Sequence, residues 1–462
     1  MLLLKRINFS PVTRLSGLLS VEVLVEKNVI IDAKVKGNQF RGFEWMLVGR
    51  NINDAPYFTE RICGICSFAH GTASSYLLDD IFEDDIPEQA YILRNIMLAL
   101  EFLQNHIRHF YIFSLPDFIT LPQGIQYQGE TVDRRFDDRT NRRLVDSYLS
   151  AFSVAAKAHE GQTVFAGKAP HQHGIVHGGA TVSPTADKIM HVKSIIHDLI
   201  DFIKERLLPD TELLERFYGD YYHIGISSSH FLSHGLFRKD KKGNTLWPGG
   251  VLTNNRYVPK IDFSSIKEDI THSSYEKTPD KDLGPAELAQ PKPDKEGAYT
   301  FVKAVHYKGV PYEVGPLARA YILQGYNEYQ PSTMARILTR SLETQRIAEL
   351  TDKWLSTLQP ETQVLKRKKK IARNEGIGLT DAPRGALLHT AKVDDKEKIL
   401  EYGIITPTVW NFSPLNSYGV HGPVEEALIN TFISDLDNPV EIGRIIRAFD
   451  PCLSCGTHII RV

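Results

Sequence analysis

Cysteine is scarce in this sequence, and the other marks of an exported or membrane-spanning chain are missing. Four cysteines in 462 residues exclude a disulfide-rich secreted scaffold. No apolar run approaches the length of about 18 residues that predicts a membrane-spanning helix, and the start, MLLLKRINFS, lacks a signal peptide. The formal charge of −2 indicates neither a nucleic-acid partner nor an anionic membrane surface. From its own sequence, the chain is expected to stay in the cytoplasm unless a partner with an export signal takes it across the membrane.

What is present is the composition of an ordinary globular protein, 42% hydrophobic and 24% charged. This length allows two to three domains, but residues 1–462 are expected to form a single interwoven unit. The polar segment 262–297 resembles a linker in composition. We interpret it instead as an irregular surface excursion, because the two cysteine pairs would have to meet across it.

Apolar periodicity predicts the main elements. Residues 19–35, LSVEVLVEKNVIIDAKV, alternate on both sides of a turn at Lys27 and Asn28, which predicts a β-hairpin. The residues expected on one face of this hairpin are Val21, Val23, Val25, Val29, Ile31 and Ala33.

Longer segments repeat apolar residues at steps of three and four, which is typical of helices. They are residues 87–110, 142–158, 192–208 and 332–358. We therefore expect a mainly helical α+β fold with a core of long helices, an N-terminal β-hairpin and peripheral β segments. The basic run KRKKK, residues 366–370, is interpreted as a solvated helix end.

The four cysteines form two C-x-x-C pairs, RICGICSFAH at 61–70 and DPCLSCGTH at 450–458. This spacing suits a structural zinc site, although such sites usually join a small local unit rather than two ends of a long chain. Two independent redox dithiols are a further alternative. If all four thiolates meet, nickel, iron and zinc all remain admissible on ligand type.

The residues around the cysteines carry a family resemblance. RICGICSFAH and DPCLSCGTH resemble the signatures R-x-C-G-x-C-x-x-x-H and D-P-C-x-x-C-x-x-H of nickel-iron hydrogenase large subunits. Five further blocks resemble that family and follow its order: SPVTRLSG, FRGFE, YEVGPLAR, DAPRGALLH and TPTVWNFSP. The complex I subunit that shares this fold lacks the four cysteines. The resemblance implies the hydrogenase large-subunit fold and reversible, heterolytic cleavage of H₂, and LVGRNINDAPYFTERICGICS favours the respiratory uptake type.

The resemblance also implies roles for the cysteines. Cys63 and Cys452 would be terminal nickel ligands, whereas Cys66 and Cys455 would bridge nickel to an iron that carries carbon monoxide and cyanide. Soft thiolates suit nickel, and a terminal thiolate can accept the proton that H₂ releases, for which we favour Cys452. His70 resembles a residue that donates a hydrogen bond to a cysteine sulfur.

Other positions match residues around the metals. Arg384 resembles an arginine poised above the open metal position, with Pro383 and Asp450 beside it and Asp450 as its ion-pair partner. Glu44 and His458 match ligands of a nearby Mg²⁺ or Fe²⁺, with a backbone carbonyl assigned to Phe412.

We expect the histidines of the segment APHQHGIVHGG to have a structural role. These residues are His171, His173 and His177.

Two positions depart from the family. Ser16 stands where a glutamate usually takes the proton from the terminal cysteine, and a serine can pass a proton but cannot store one. Asn105 stands where many relatives carry an aspartate beside the arginine. We expect both changes to affect proton transfer and rate rather than assembly of the metal centre.

The remaining expectations concern partners and processing. The four cysteines are all assigned to the metal centre, so electrons must leave through an iron–sulfur small subunit, with a membrane cytochrome as a further partner. Export with that subunit would place the chain in the periplasm or at the outer face of the membrane, and the cytoplasmic type is the alternative. A hydrogen-sensing regulatory protein is the alternative function. Residues 459–462 are expected to be a short tail removed after His458.

Overall fold

The computed structural model describes residues 4–122, 133–276, 282–324 and 330–456. The α-helices in these ranges are α1 Phe43–Leu47, α2 Ala55–Thr59, α3 Ser67–Phe82, α4 Glu88–Arg108, α5 Asp138–Ala166, α6 Ala186–Phe202, α7 Leu208–Phe217, α8 Pro316–Gln324, α9 Thr333–Thr357, α10 Pro407–Asn411, α11 Pro423–Leu428, α12 Val440–Ala448 and α13 Leu453–Gly456. The strands are β1 Leu4–Phe9, β2 Leu19–Glu26, β3 Val29–Gly37, β4 Ile175–Val176, β5 Gly179–Ala180, β6 His230–Ser233, β7 Leu236–Arg238, β8 Thr245–Trp247, β9 Gly250–Thr253, β10 Arg256–Val258, β11 Ile266–Asp269, β12 Asp282–Leu283, β13 Ala304–Tyr307, β14 Glu375–Ala382, β15 Gly385–Val393 and β16 Ile399–Ile405.

The predicted hairpin forms as β2 and β3, and β1 pairs with β2 to complete a three-stranded antiparallel sheet. The predicted apolar face is wrong at two positions, Val29 and Ile31, and Val29 pairs with Glu26 on the opposite face. Leu24 pairs with Asp32 but Val25 pairs with Ile30, so Ile31 lies in a bulge. The bulge turns Ile31 outward, 42% exposed, and buries Ile30 in its place.

The four predicted helical segments are confirmed and form the larger apolar core. This core is built by α3, α4, α5, α6 and α9. Ser332 caps α9 by accepting a hydrogen bond from the Ala335 amide at 3.3 Å. The predicted segment 87–110 ends as an α-helix at Arg108 and continues through a π-helical turn at His109–Ser114. The prediction of a mainly helical α+β fold holds, since helices supply most of this core.

The strands β14–β16 form an antiparallel sheet that is largely buried and packs on α3. The packing is close because β14 has glycine where it crosses the helix. A Cβ on Gly378 would lie 1.9 Å from the Ala73 carbonyl oxygen, so any side chain there would push sheet and helix apart. The sheet is thereby fixed against the helix that follows Cys66.

Two further sequence interpretations are only partly right. The polar segment 262–297 is mostly irregular, and most of its described residues are partly or fully exposed, but buried β11 and a small apolar cluster that contains Tyr275 and Leu283 anchor it to the rest of the fold. The run at 366–370 is exposed, as predicted, but it lies in an irregular segment after α9 has ended at Thr357.

None of the helices in the described ranges combines the length and the hydropathy that crossing a membrane requires.

The contact at Gly378 gives the first prediction. Gly378→Ala should lower the free energy of unfolding by about 1–3 kcal/mol, because overpacking displaces the sheet from α3. Gly219→Ala is the control, since a Cβ there meets no atom within 4 Å. Urea unfolding measures both, and equal midpoints for the two variants would contradict the close-packing argument.

Candidate metal centre

The four cysteine sulfurs meet at one buried point. Their Sγ atoms all lie within 4.8 Å of one another, and each cysteine is at most 5% exposed. Cys63 is 3.2 Å from Cys452, Cys66 is 3.3 Å from Cys455, and Cys452 is 3.0 Å from Cys455. All four are free thiols, since a disulfide bond is about 2.05 Å long. The two pairs are therefore halves of one cage, and the interpretation as independent dithiols is wrong.

Side chains from distant segments hold the loop of the first pair. Arg41 donates to the carbonyl oxygens of Ile62 and Ser454, the latter at 2.9 Å, so one guanidinium joins both cysteine loops. From α4, Glu101 accepts hydrogen bonds from the first amides of α3, and Gln104 donates to the Ile65 carbonyl at 2.9 Å. Arg41, Glu101 and Gln104 were not identified from the sequence.

The loop of the second pair rests on the start of α10 and on the N-terminal segment. Thr408 accepts from the Cys452 amide at 3.3 Å, and Thr406 donates to the Cys455 carbonyl at 3.2 Å. Ser16 forms a backbone bridge with Cys452. Gly17 has φ +92°, and a Cβ on it would lie 2.5 Å from the Ser454 amide nitrogen. The residue after Ser16 must therefore be glycine for the two segments to touch.

The thiols suit a soft metal cation. Hydrogen bonds from Cys452, Cys455 and Cys66 hold the pKa of the Cys63 thiol well below its usual value, whereas burial raises the pKa of Cys455 well above it. Four crowded thiols ionise together only when a cation balances their charge. The donor set therefore fits nickel and iron on ligand chemistry.

Arg384 and Asp450 pair beside the cage, as the sequence predicted. Arg384 lies with Pro383 in the two-residue turn between β14 and β15, and it donates to Asp450 Oδ1 and to the Asp450 carbonyl, both at 2.9 Å. Burial opposes the charge of Arg384, but Asp450 and the thiols hold its pKa well above the usual value. Asn105 lies between the two: in the amide orientation that satisfies both neighbours, its nitrogen donates to Asp450 Oδ2 at 3.1 Å and its oxygen accepts from Arg384 Nη2 at 3.0 Å. An ionised aspartate could accept from Arg384 but could not donate to Asp450, so the asparagine adds a contact that the carboxylate lacks.

A buried ionic network extends from Asp450, and no local sequence pattern predicts it. Arg340 Nη1 lies 3.3 Å from Asp450 Oδ2 and 3.3 Å from His106 Nδ1. His106 Nε2 lies 2.9 Å from Glu343, which also accepts from Arg319. Burial lowers the pKa of His106 to about 4, so this histidine is neutral. Arg319 donates to the Pro383 carbonyl at 3.1 Å and so holds the turn that carries Arg384.

Glu44 lines a cavity of about 20 Å³ beside Cys455, large enough for one ion or water. Ile404 also lines it, whereas Phe412 is not among its lining residues; the Phe412 ring packs 6.4 Å from that of Phe449. Glu268 and Lys303 border the same space and form a buried ion pair at 2.6 Å. His458 and the tail at 459–462 lie outside the described residues.

Ser16 lies beside the second cysteine loop, His70 lies at the start of α3 and His177 lies at the far end of that helix. The Ser16 hydroxyl donates to Ser454 Oγ at 2.8 Å. His70, on the first turn of α3, directs Nδ1 to His389 Nε2 at 3.2 Å. His177 pairs with Asp84 at 2.7 Å and stacks on Phe82, which is a structural role.

The other two histidines of this segment are less buried. The His171 amide donates to Ser67 Oγ at 3.1 Å, while exposed His173 packs edge-on to Tyr57.

Two buried carboxyl groups lie close to the cage at the start of α3. Burial raises the pKa of Glu60 to about 8, although a hydrogen bond from Gln172 at 2.7 Å acts to lower it. Burial also raises the pKa of Glu101 to about 8. Such values poise both groups near neutral pH, where carboxyl groups exchange protons readily.

The pKa of Glu60 predicts how stability depends on pH. The folded state keeps this proton up to about pH 8, while the unfolded chain loses it near pH 4.3. The folded state then binds more protons, so stability should fall as pH rises from 5 to 8. In Glu60→Gln the fall should be smaller, as measured by urea unfolding at both ends of this range. Exposed Glu205→Gln is the control, and the same fall in Glu60→Gln as in the wild type would contradict the assignment.

Known proteins share both the sequence and the fold. The family model for nickel-dependent hydrogenases matches residues 41–134 and 126–458. The periplasmic [NiFeSe] hydrogenase large subunit of Desulfomicrobium baculatum is 35% identical over 98% of this chain and 95% of that protein. The uptake hydrogenase large subunit of Bradyrhizobium diazoefficiens is 31% identical over 98% of this chain and 95% of its own length.

Among solved structures, the Ni-Fe-Se hydrogenase of Desulfovibrio vulgaris Hildenborough in its reduced state superposes with a TM-score of 0.93. It is 35% identical and covers 98% of this chain and 100% of its own. The names of two of these relatives include selenium, whereas cysteine occupies all four cage positions here. Family membership decides against the structural zinc site that the spacing alone left open. With its four thiols gathered as that family requires, this chain belongs to the nickel-dependent hydrogenases and is the catalytic large subunit of a nickel-iron hydrogenase.

Proposed function

We propose that this subunit oxidises H₂ at a nickel-iron centre whose iron carries carbon monoxide and cyanide. Cys63 and Cys452 would be terminal ligands of nickel, and Cys66 and Cys455 would bridge the two metals. The observation that carries this assignment is the single buried cage, in which Cys66 and Cys455 lie 3.3 Å apart. When bound, the centre supplies the heterolytic cleavage of H₂. Uptake hydrogenases among the relatives support the direction of oxidation.

The residues of this chain have distinct tasks in that reaction. Cys452 accepts the proton, because a thiolate on a metal is a base within hydrogen-bond reach. Arg384 presents a fixed positive charge beside the cage, and Asp450 orients it through two hydrogen bonds of 2.9 Å. Asn105 holds the same pair through neutral contacts. Pro383 shapes the turn that aims Arg384.

The proton leaves Cys452 through Ser16 and Ser454 in this proposal. The backbone bridge between Ser16 and Cys452 places the serine beside the base, and its hydroxyl is 2.8 Å from that of Ser454. Neither hydroxyl stores a proton near neutral pH. Proton release then depends on continuous exchange along the two hydroxyls rather than on a carboxylate reservoir.

A Mg²⁺ or Fe²⁺ ion would occupy the cavity lined by Glu44. Oxygen ligands suit such hard cations. Since Ile404 lines this cavity and Phe412 does not, the backbone carbonyl ligand moves from Phe412 to Ile404 in our proposal. His458 remains a proposed ligand, and cleavage after it would remove residues 459–462.

Electrons would leave through an iron–sulfur small subunit, since the four cysteines of the chain are all in the cage. A surface pocket of about 520 Å³ opens at Cys63 and is lined by Arg41, Arg61 and His171. Apolar side chains 37–51% exposed occur on neighbouring segments: Leu18, Trp45, Met46, Val48 and Tyr57. We propose this face as the site of the small subunit, which connects in turn to a membrane cytochrome.

In this proposal the small subunit determines where in the cell the enzyme is located. Export with the small subunit would place the enzyme in the periplasm or at the outer face of the membrane, as the name of the Desulfomicrobium baculatum relative supports. The cytoplasm is the alternative location. Residues 1–462 would act as one interwoven domain in either case.

Metal analysis and infrared spectroscopy test the centre. The purified heterodimer should contain nickel together with an excess of iron, since the iron–sulfur clusters of the small subunit add to the iron of the centre, and it should show carbon monoxide and cyanide bands and turn over H₂. Cys66→Ser should lose the nickel and the activity, because an alcohol is a poor ligand for a soft metal. Ser75→Ala, a buried change on the same helix, is the control. Nickel retained at the wild-type level in Cys66→Ser would contradict the ligand assignment, and binding without turnover would indicate a hydrogen sensor.

Hydrogen–deuterium exchange tests the proton path. Ser16→Ala and Ser454→Ala should each slow exchange between H₂ and D₂O by about tenfold or more, because each interrupts the hydroxyl pair. Nickel content should stay unchanged, since neither residue is a ligand. Ser150→Ala on the exposed face of α5 is the control. A wild-type exchange rate in Ser16→Ala would rule the path out.

A further inference from the structure

A run of basic side chains lies at the C-terminal end of α3, far from the cage. Residues 366–370, KRKKK, are all exposed. Lys241 lies beside them, because Asp85 pairs with Lys241 at 3.0 Å and with Lys366 at 3.7 Å. Arg373 follows in the same segment, and its side chain is 55% exposed. Residues 366–370, Lys241 and Arg373 together form what we call the basic surface.

The backbone of this run is held against the fold. The Lys366 amide donates to the Gly178 carbonyl at 2.9 Å, and a Cβ on Gly178 would lie 2.5 Å from the Lys366 carbonyl oxygen. The Lys368 amide donates to Asp84 Oδ1 at 2.8 Å, and the Ala372 amide donates to a carbonyl in the last turn of α3 at 2.9 Å. The basic side chains therefore project from a fixed backbone, which a partner would not have to order on binding.

Local carboxylates balance only part of the charge of the basic surface. Arg373 pairs with Asp80 and Glu83, and Asp85 is shared by two lysines. Within the described ranges, residues 368–370 form no ion pair. Since the whole chain has a formal charge of −2, the positive surplus here is local and the rest of the chain is acidic. The net charge of the chain therefore does not exclude an anionic partner for this surface.

The composition of the basic surface favours a bilayer over a protein as that partner. Protein interfaces are depleted in lysine and enriched in arginine and aromatic residues. Here lysine predominates, and residues 364–375 include no aromatic side chain that could anchor a protein or stack on a nucleic-acid base. A lysine ammonium is a strongly hydrated point charge, and clusters of such charges are attracted to anionic lipid headgroups without a shaped receptor.

We propose that the basic surface binds the anionic headgroups of a lipid bilayer, which would hold the large subunit itself against the membrane. The proposal rests on the membrane location proposed above. The 16 residues of α3 separate the basic surface from Cys66 by about 24 Å. A small subunit beside Cys63 would therefore leave the basic surface accessible. The enzyme would have two attachments, one through the small subunit and one through the headgroups, and two attachments restrict its tilt on the membrane.

Vesicle sedimentation with the purified heterodimer tests the proposal. The heterodimer should sediment with phosphatidylcholine vesicles that contain phosphatidylglycerol, and not with vesicles of phosphatidylcholine alone. Salt at about 0.5 M should release it, because the Debye length then falls to about 4 Å. The triple variant Lys368→Gln, Lys369→Gln, Lys370→Gln should bind the anionic vesicles about a hundredfold more weakly, since each basic side chain near such a surface contributes about fivefold.

A second triple variant is the matched control. Lys27→Gln, Lys204→Gln and Lys260→Gln change the net charge by the same amount at exposed positions on other segments, so this variant should bind as the wild type does. If the first triple variant fails to assemble, Lys369→Gln alone should still weaken binding by about fivefold.

The outcomes separate this proposal from the hydrogenase function. Wild-type binding in the triple variant of residues 368–370, or equal binding of the wild type to both kinds of vesicle, would overturn the bilayer proposal. A protein that the wild type retains and this variant loses, without vesicle binding, would replace the bilayer by a protein partner. Nickel content and H₂ turnover of this variant should equal those of the wild type. A wild-type heterodimer without nickel would contradict the proposed function whatever its binding to vesicles.

Discussion

The structure depends on one constraint: two loops separated by 389 residues must hold four sulfurs within 4.8 Å of one another in an apolar interior. Closing so long a loop is entropically costly, and crowded thiols repel once they ionise. The chain meets both costs with hydrogen bonds to backbone groups of the loops. Arg41 joins the two loops, and Glu101 with Gln104 secures the first from α4, while Thr406 and Thr408 secure the second. The rest of the fold brings these side chains to the same place.

Buried charge beside the cage is balanced in the same way. Three guanidinium groups and three carboxylates form two sets of ion pairs: Asp450 pairs with Arg384 and Arg340, and Arg319 pairs with Glu343 and Asp381. Neutral His106 joins the two halves of this network. An aspartate at position 105 would place a further negative charge against Asp450, whereas the Asn105 amide donates a hydrogen bond to Asp450 and accepts one from Arg384. The departure from the family at this position is therefore consistent with its surroundings.

A feature of the fold or of the site could be predicted from the sequence when the residues that form it are close together in the chain. The helices of the core and the hairpin were found because their apolar periods are local. Cys63, Cys66, Cys452 and Cys455 were found because ligand spacing is local as well. Arg340 and His389 were missed since their partners are distant in sequence, and a buried arginine in a helix reads as an ordinary surface residue. The bulge at Ile31 was missed because one unpaired residue reverses the alternation without changing the composition.

The clamp made by Arg41 has a consequence for which metal the protein accepts. A flexible C-x-x-C pair wraps around whichever thiophilic ion arrives first, and zinc, which is satisfied by a closed tetrahedron, is a strong competitor. Here the two loops are held to each other through backbone carbonyls. Drawing the sulfurs inward around a smaller ion would have to stretch these hydrogen bonds. The scaffold therefore adds its own energetic cost to the choice of metal.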